Sequence, residues 1–205
     1  MVGIIHCGTG NIGSVVNAIE HLGGDARIVN SPGELEGCER IILPGVGSFL
    51  EGMGSMRSKG FETALQKHTI ELGKPTLGIC LGMQLMAAFG SEGGGCSGLG
   101  WFQGSVQKLL PRTSGERIPH VGWNQLIIHR EHNLLKGVAT ETDFYFVHSY
   151  SMQLENDAEL IASCDYANGV AAIVGRDNIF ASQFHPEKSQ DSGLKLLENF
   201  LDWNP

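Results

Sequence analysis

The chain is predicted to fold as α/β, with a largely parallel sheet covered by helices on both faces, and three observations carry that expectation. Short apolar runs alternate with stretches of helical periodicity from residue 2 to residue 89. Glycine, at 29 of 205 residues, is about twice as frequent as usual, so many tight turns or close backbone approaches are demanded. Hydrophobic residues make up 41% against 18% charged, enough for one core and too little charge for an extended disordered chain. Strands separated by helices pair in parallel, because parallel neighbours need a crossover.

In order, Val2 to His6 is a short buried strand, and Ile12 to Leu22 carries apolar residues at helical spacing until Gly23-Gly24 stops it. Ala26 to Val29 and Arg40 to Leu43 are further strands bounded by Gly and Pro. Phe61 to Leu72 is predicted helical, Thr76 to Ile79 a strand, and Leu81 to Phe89 a helix. The glycine-rich stretch 91–100 then connects to a strand-rich half. Its expected strands are Gly104 to Leu109, Trp123 to Ile128, Phe144 to Val147, Leu160 to Ser163, Val170 to Val174 and Ile179 to Ser182. An amphipathic helix from Leu194 to Leu201 closes the chain. No linker marks a second domain, so residues 1–205 are expected to form one unit.

Charge and cysteine content exclude several functions. Fourteen basic and 22 acidic residues give a net charge of −8 without a basic stripe, which argues against a nucleic-acid partner. No run approaches the ~18 apolar residues of a membrane helix, and Met1 to Cys7 has no basic leader, so no membrane is expected and the cytoplasm is. Five scattered cysteines without a C-x-x-C fit neither a disulfide framework nor a zinc site. No H-E-x-x-H occurs, and no metal or cofactor is expected.

Four segments could carry chemistry. Gly8-Thr9-Gly10-Asn11-Ile12-Gly13 fits a dinucleotide fingerprint, but no acid near Ile28 to Ser31 is placed to hold a ribose. A glycine-rich turn or contact surface is the simpler reading. Gly78-Ile79-Cys80-Leu81-Gly82 has the spacing of a nucleophile elbow, with glycines where a Cβ would strike neighbouring backbone. Its bend puts a sulfur at a helix start, where amide dipoles favour thiolate; a small buried cysteine is the plainer alternative. In Phe184-His185-Pro186-Glu187 the imidazole can act as base and the acid two residues on can orient it, although surface His-x-Glu pairs are common. Pro44-Gly45-Val46-Gly47 could turn backbone amides toward an oxyanion, with Leu81 supplying the second, or be an ordinary turn.

Together these segments resemble the class I, or triad, glutamine amidotransferases, where a cysteine elbow is followed far downstream by His-Pro-Glu. Within that class, Pro44 to Phe49, Leu77 to Leu85, Pro119 to Asn124, Tyr145 to Tyr150 and Gln183 to Ser189 are similar to the glutaminase subunits of imidazole-glycerol-phosphate synthases. The resemblance runs in order over nearly the whole chain. It implies a flavodoxin-like fold with additional antiparallel strands, Cys80 as nucleophile, His185 as base and Glu187 as its orienter. It further implies Val46 and Leu81 at the oxyanion hole, and Gly47, Gln84, Ser149 and Tyr150 around L-glutamine. Asn11, Trp123, Tyr145 and Lys188 would face a partner, recasting the glycine fingerprint as a docking turn.

The implied partner is an ammonia-consuming synthase or cyclase subunit in a heterodimer, since ammonia released to water would become ammonium and lose its nucleophilicity. If the Pro44–Gly47 turn aims its amide correctly only after docking, the isolated chain is nearly silent. His6-Cys7 departs from the Asp-Tyr pair usual at this position, which leaves open a paralogue serving another synthase, such as one amidating a surface sugar. A stand-alone γ-glutamyl hydrolase and a noncatalytic nucleotide-binding or docking module are the other readings.

Overall fold

Val2–Ile5 (β1) is buried along its whole length, as suits a strand covered on both faces. The computed structural model describes residues 1–8 and 12–205. The expected docking residue Asn11, with Thr9 and Gly10, lies outside the described residues. Ile12–His21 (α1) turns Ile12, Val15, Ala18 and Ile19 inward, as its periodicity predicts. Ala26–Val29 (β2) and Arg40–Gly45 (β3) follow, then helices Phe49–Ser58 (α2) and Phe61–Leu65 (α3), strand Thr76–Cys80 (β4) and helix Leu81–Leu85 (α4). The second half holds Ala87–Gly90 (β5), Cys96–Ser97 (β6), Phe102–Lys108 (β7), His120–Gln125 (β8), Ile127–Ile128 (β9), Asp143–His148 (β10), Tyr150–Leu154 (β11), Leu160–Cys164 (β12), Val170–Arg176 (β13) and Ile179–Ser182 (β14). Helix Gln190–Asp202 (α5) ends the chain.

Among the described residues the central sheet has eight strands in the order β2-β1-β3-β4-β14-β13-β12-β9. The pairs from β2 to β14 are parallel, and those from β14 to β9 are antiparallel. Strand alternation feeds a core on each face. Ile4 and Ile42 join α1 and α5 on one side, whereas Ile5, Ile41 and Leu43 join α2 and α3 on the other. Two smaller sheets, β10-β8 and β11-β7-β5-β6, build the wall beside the carboxyl ends of the parallel strands.

Three expectations need correction. The helix predicted over Leu81–Phe89 stops at Leu85, and Ala87–Gly90 is a strand. The returning chain explains this: N–H groups of Leu99, Trp101, Gly100 and Gly98 donate to the carbonyls of Leu85, Met86, Ala87 and Ala88 at 2.8–3.1 Å, taking the acceptors a longer helix would use. The helix over Phe61–Leu72 is α-helical only to Leu65 and continues as a π-helix over Gln66–Glu71. The single strand expected over Trp123–Ile128 is two, because fully buried Leu126 breaks the run. β8 pairs with β10, and β9 joins the main sheet through β12. Among the described residues no helix is long and apolar enough to cross a membrane.

Candidate active site

Three adjacent parallel strands end at one point. Gly45 of β3 is in register with Cys80 of β4, and Ser182 of β14 with Ile79, so the residues after Ser182 leave the sheet beside Cys80. Cys80 itself has φ 54° and ψ −110°, a positive φ that a non-glycine residue rarely adopts, held at the junction of β4 and α4. The flanking glycines permit the bend. A Cβ on Gly82 would lie 1.7 Å from the Leu43 carbonyl oxygen, and one on Gly78 would lie 3.0 Å from the Met83 amide nitrogen. The expected elbow is present, although the helix behind it has only five residues.

The downstream pair forms as expected. His185 Nδ1 lies 2.7 Å from Glu187 Oε1, with both side chains at most 3% exposed. The peptide before it is pinned by β10: the His185 amide donates to the Tyr145 carbonyl at 3.0 Å, and Phe184 packs on Phe144 with ring centroids 4.2 Å apart. Ser189 Oγ accepts from the Tyr145 amide and donates to the His185 carbonyl, closing the turn. His185 Nε2 is buried without a hydrogen-bond partner among the described residues. It shares a cavity with Cys80, an arrangement that can serve acid–base chemistry.

Burial opposes the charge on His185, but the neighbouring Cys80 and Glu187 outweigh it and push the imidazole up to about 9. A group raised in the folded state stabilises fully below its unfolded value, about 6.5, and loses that contribution as pH climbs through the folded value. Thermal midpoints of the wild type are therefore expected to fall between pH 6.5 and about 9, and a His185→Gln variant to lack that segment. Superimposable pH–stability curves would contradict the linkage.

Cys80 and His185 open into a cavity of about 330 Å³. Its wall includes Val46, Gly47, Leu81, Gln84, Ser149 and Tyr150, so the expected oxyanion and glutamine residues meet the expected nucleophile and base. Lys188, expected at a partner surface, also lines it. Trp123 and Tyr145 do not; they sit side by side on β8 and β10, ring centroids 5.9 Å apart, with Trp123 half-exposed. A larger cavity of about 600 Å³ around Ile128 and His132 shares no residue with this site.

Sequence reading missed three neighbours. Glu92, from the glycine-rich stretch, lines the cavity and accepts from the Phe49 amide at 2.8 Å. His148 lines it too and lies 2.9 Å from His120; burial pushes these imidazoles down to about 3 and about 4, so both are neutral. Gln183 is fully buried beside Cys80. For Gln183 the signal was its place next to Phe184 in the His-Pro-Glu segment, whereas for Glu92 only the fold brings it in.

A family model for class I glutamine amidotransferases matches residues 4–203. The chain is a class I glutamine amidotransferase. Curated relatives of this amidotransferase cover it end to end. Imidazole glycerol phosphate synthase subunit HisH 2 of Nitrobacter winogradskyi is 44% identical, spanning 100% of this chain and 99% of that protein. Subunit HisH of Desulfitobacterium hafniense is 46% identical over 99% and 94%, and HisH 2 of Pseudomonas aeruginosa is 39% identical over 98% and 99%. Among solved structures, PurLQS from Thermotoga maritima superimposes with a TM-score of 0.78 at 20% identity, covering 98% of this amidotransferase and 97% of that chain. A structure described as a glutamine amidotransferase gives 0.74 at 22% over 98% and 97%. At those identities the superpositions speak for the fold of the amidotransferase, not its partner.

Proposed function

We propose that this amidotransferase is the glutaminase subunit of an imidazole glycerol phosphate synthase, working in the cytoplasm as a heterodimer with the cyclase that consumes its ammonia. The observation that carries the reading is the end-to-end identity of 39–46% with HisH subunits. The cavity supports it, because a cysteine, an imidazole and a carboxylate-held tautomer converge in a space suited to one amino acid.

In this reading the Cys80 thiolate attacks the carboxamide carbon of glutamine, and amides of Val46 and Leu81 receive the developing oxyanion. His185, cationic at neutral pH, gives its proton to the carboxamide nitrogen as the C–N bond breaks, so that ammonia leaves and the glutamyl thioester remains. Water then attacks the glutamyl thioester with His185 as base, releasing glutamate. Glu187 keeps the imidazole in one tautomer. Gln84 has both amide hydrogens engaged, with Tyr150 O at 2.9 Å and Gln183 Oε1 at 3.0 Å, so the atom it offers substrate is its carbonyl oxygen. Glu92 supplies the negative charge that an α-ammonium group needs.

The test is glutamate release by the chain alone and with the cyclase subunit. The complex is expected to turn over glutamine about 10²–10³-fold faster, the size of one oxyanion donor brought into place. Equal rates with and without the cyclase would contradict the partner and the gate together.

A second reading rests on the first strand's end. His6 pairs through Nδ1 with Asn30 Oδ1 at 3.0 Å where the family's Asp-Tyr would begin, and several of the similar proteins are numbered HisH 1 or HisH 2. Both fit a paralogue that feeds ammonia to a different synthase. Stimulation by a sugar-amidating synthase, and none by the cyclase, would select it.

A further inference from the structure

Gln183 is fully buried, and its one part in the chemistry above is to accept from Gln84. Its Nε2 lies 3.7 Å from Cys80 Sγ, within reach of an N–H donor to sulfur, across 103 residues of chain. The register explains the contact, because Gln183 follows Ser182, the partner of Ile79.

The polarity of this amide is set by its neighbours. The Tyr150 carbonyl can only accept, so the Gln84 group 2.9 Å from it is the NH₂. That NH₂ also stands 3.0 Å from Gln183, whose atom at that point must therefore be the oxygen. The remaining end of Gln183, its NH₂, faces the sulfur. The Tyr150 carbonyl is held by a second donor, His148 Nδ1 at 2.9 Å. His148 Nε2 is left to accept from His120 Nδ1 at 2.9 Å, and Asn124 Nδ2 reaches His120 Nε2 at 3.4 Å. One set of orientations satisfies every link, and flipping Gln183 would set oxygen against sulfur and nitrogen against nitrogen in a buried place.

We propose that Gln183 is a further catalytic residue, which donates its amide N–H to the Cys80 thiolate, stabilising the anion and aiming the sulfur. The inference rests on Cys80 being the nucleophile of the proposed function. A buried thiolate needs donors: the His185 imidazolium faces it across the cavity, and Gln183 adds an uncharged N–H in donor geometry to the sulfur. A further polar neighbour, the Val147 carbonyl oxygen at 3.9 Å, accepts from a thiol and repels a thiolate. The chain of amides and imidazoles behind Gln183 then serves to hold its direction.

The test compares Gln183→Met, which keeps length and loses the donor, with wild type. Alkylation of Cys80 by iodoacetamide is followed by peptide mass against pH, and glutamate release is measured in the synthase complex. The alkylation midpoint is expected to rise by about one pH unit, and kcat near pH 7 to fall about tenfold with KM within twofold. A structural role alone would lower thermal stability without moving the midpoint. Gln183→Glu, which puts a carboxylate beside the sulfur, is expected to shift the midpoint further the same way and carries the test if Gln183→Met does not fold. A folded variant with the wild-type midpoint and kcat overturns the proposal. If Cys80→Ala is inactive in the same assay the function still stands, whereas an active Cys80→Ala removes the function itself.

Discussion

Cys80→Ala is expected to lose glutamate release by about 10⁴–10⁶-fold in kcat, because the variant has no atom to form the thioester and the remaining groups only bind and polarise the amide. The fold should survive. The sulfur borders the cavity, so its removal opens little internal space, and alanine has no branch at Cβ to worsen the strained backbone. Glutamate release measured with the synthase present, beside a thermal melt, tests both statements. Retention of more than about 1% of activity would contradict the nucleophile. Two other buried cysteines provide a control: burial pushes the Cys164 thiol up to about 12 and Cys7 up to about 11, so neither supplies a thiolate near neutral pH.

The second large effect is on stability. Gly82→Ala would place a methyl group 1.7 Å from the Leu43 carbonyl oxygen and 2.8 Å from its carbon. Both obstacles are backbone, and β3 lies between β1 and β4 in the sheet, so it cannot give way without breaking ladders on two sides. The loss is expected to exceed about 4 kcal/mol, among the largest for one methyl group, lowering the thermal midpoint by roughly 8–16 °C in a chain of this size. Calorimetry decides it, and a midpoint within 2 °C of wild type would contradict the close packing of α4 on β3. Gly78→Ala should be milder, since its nearest obstacle is the flexible end of Met86 at 2.8 Å.

The elements that sequence patterns located best are those whose neighbours are local. β1, α1 and β4 have apolar spacing that matches their burial, and the Cys80 elbow is legible because the glycines on either side answer to one tight bend. What escaped depends on distant chain. The helical signal from Leu81 runs on past Leu85, yet carbonyls there are taken by residues 98–101. Helix α2 was hidden by Gly52 and Gly54, poor helix formers; Gly52 is needed because a Cβ there would come within 3.1 Å of Leu81. Cys80, His185 and Glu187 could be named from motif spacing. Glu92 could not, since it lies in no pattern that announces chemistry, and His148, although inside the Tyr145–Tyr150 segment, gave no sign there that its ring would reach the cavity; each is brought in by the small sheets beside it. The amide of Gln183 is intermediate: its place in the chain was visible, but its direction follows only from Gln84 and Tyr150.

The backbone at Cys80, φ 54° and ψ −110°, also limits which amino acids could ever replace it. Branching at Cβ is strongly disfavoured at positive φ. An ancestor or engineered descendant seeking an alcohol in place of sulfur could therefore pass through serine, whereas threonine, though it carries the same hydroxyl, is closed off by the shape of the main chain before any chemistry is attempted.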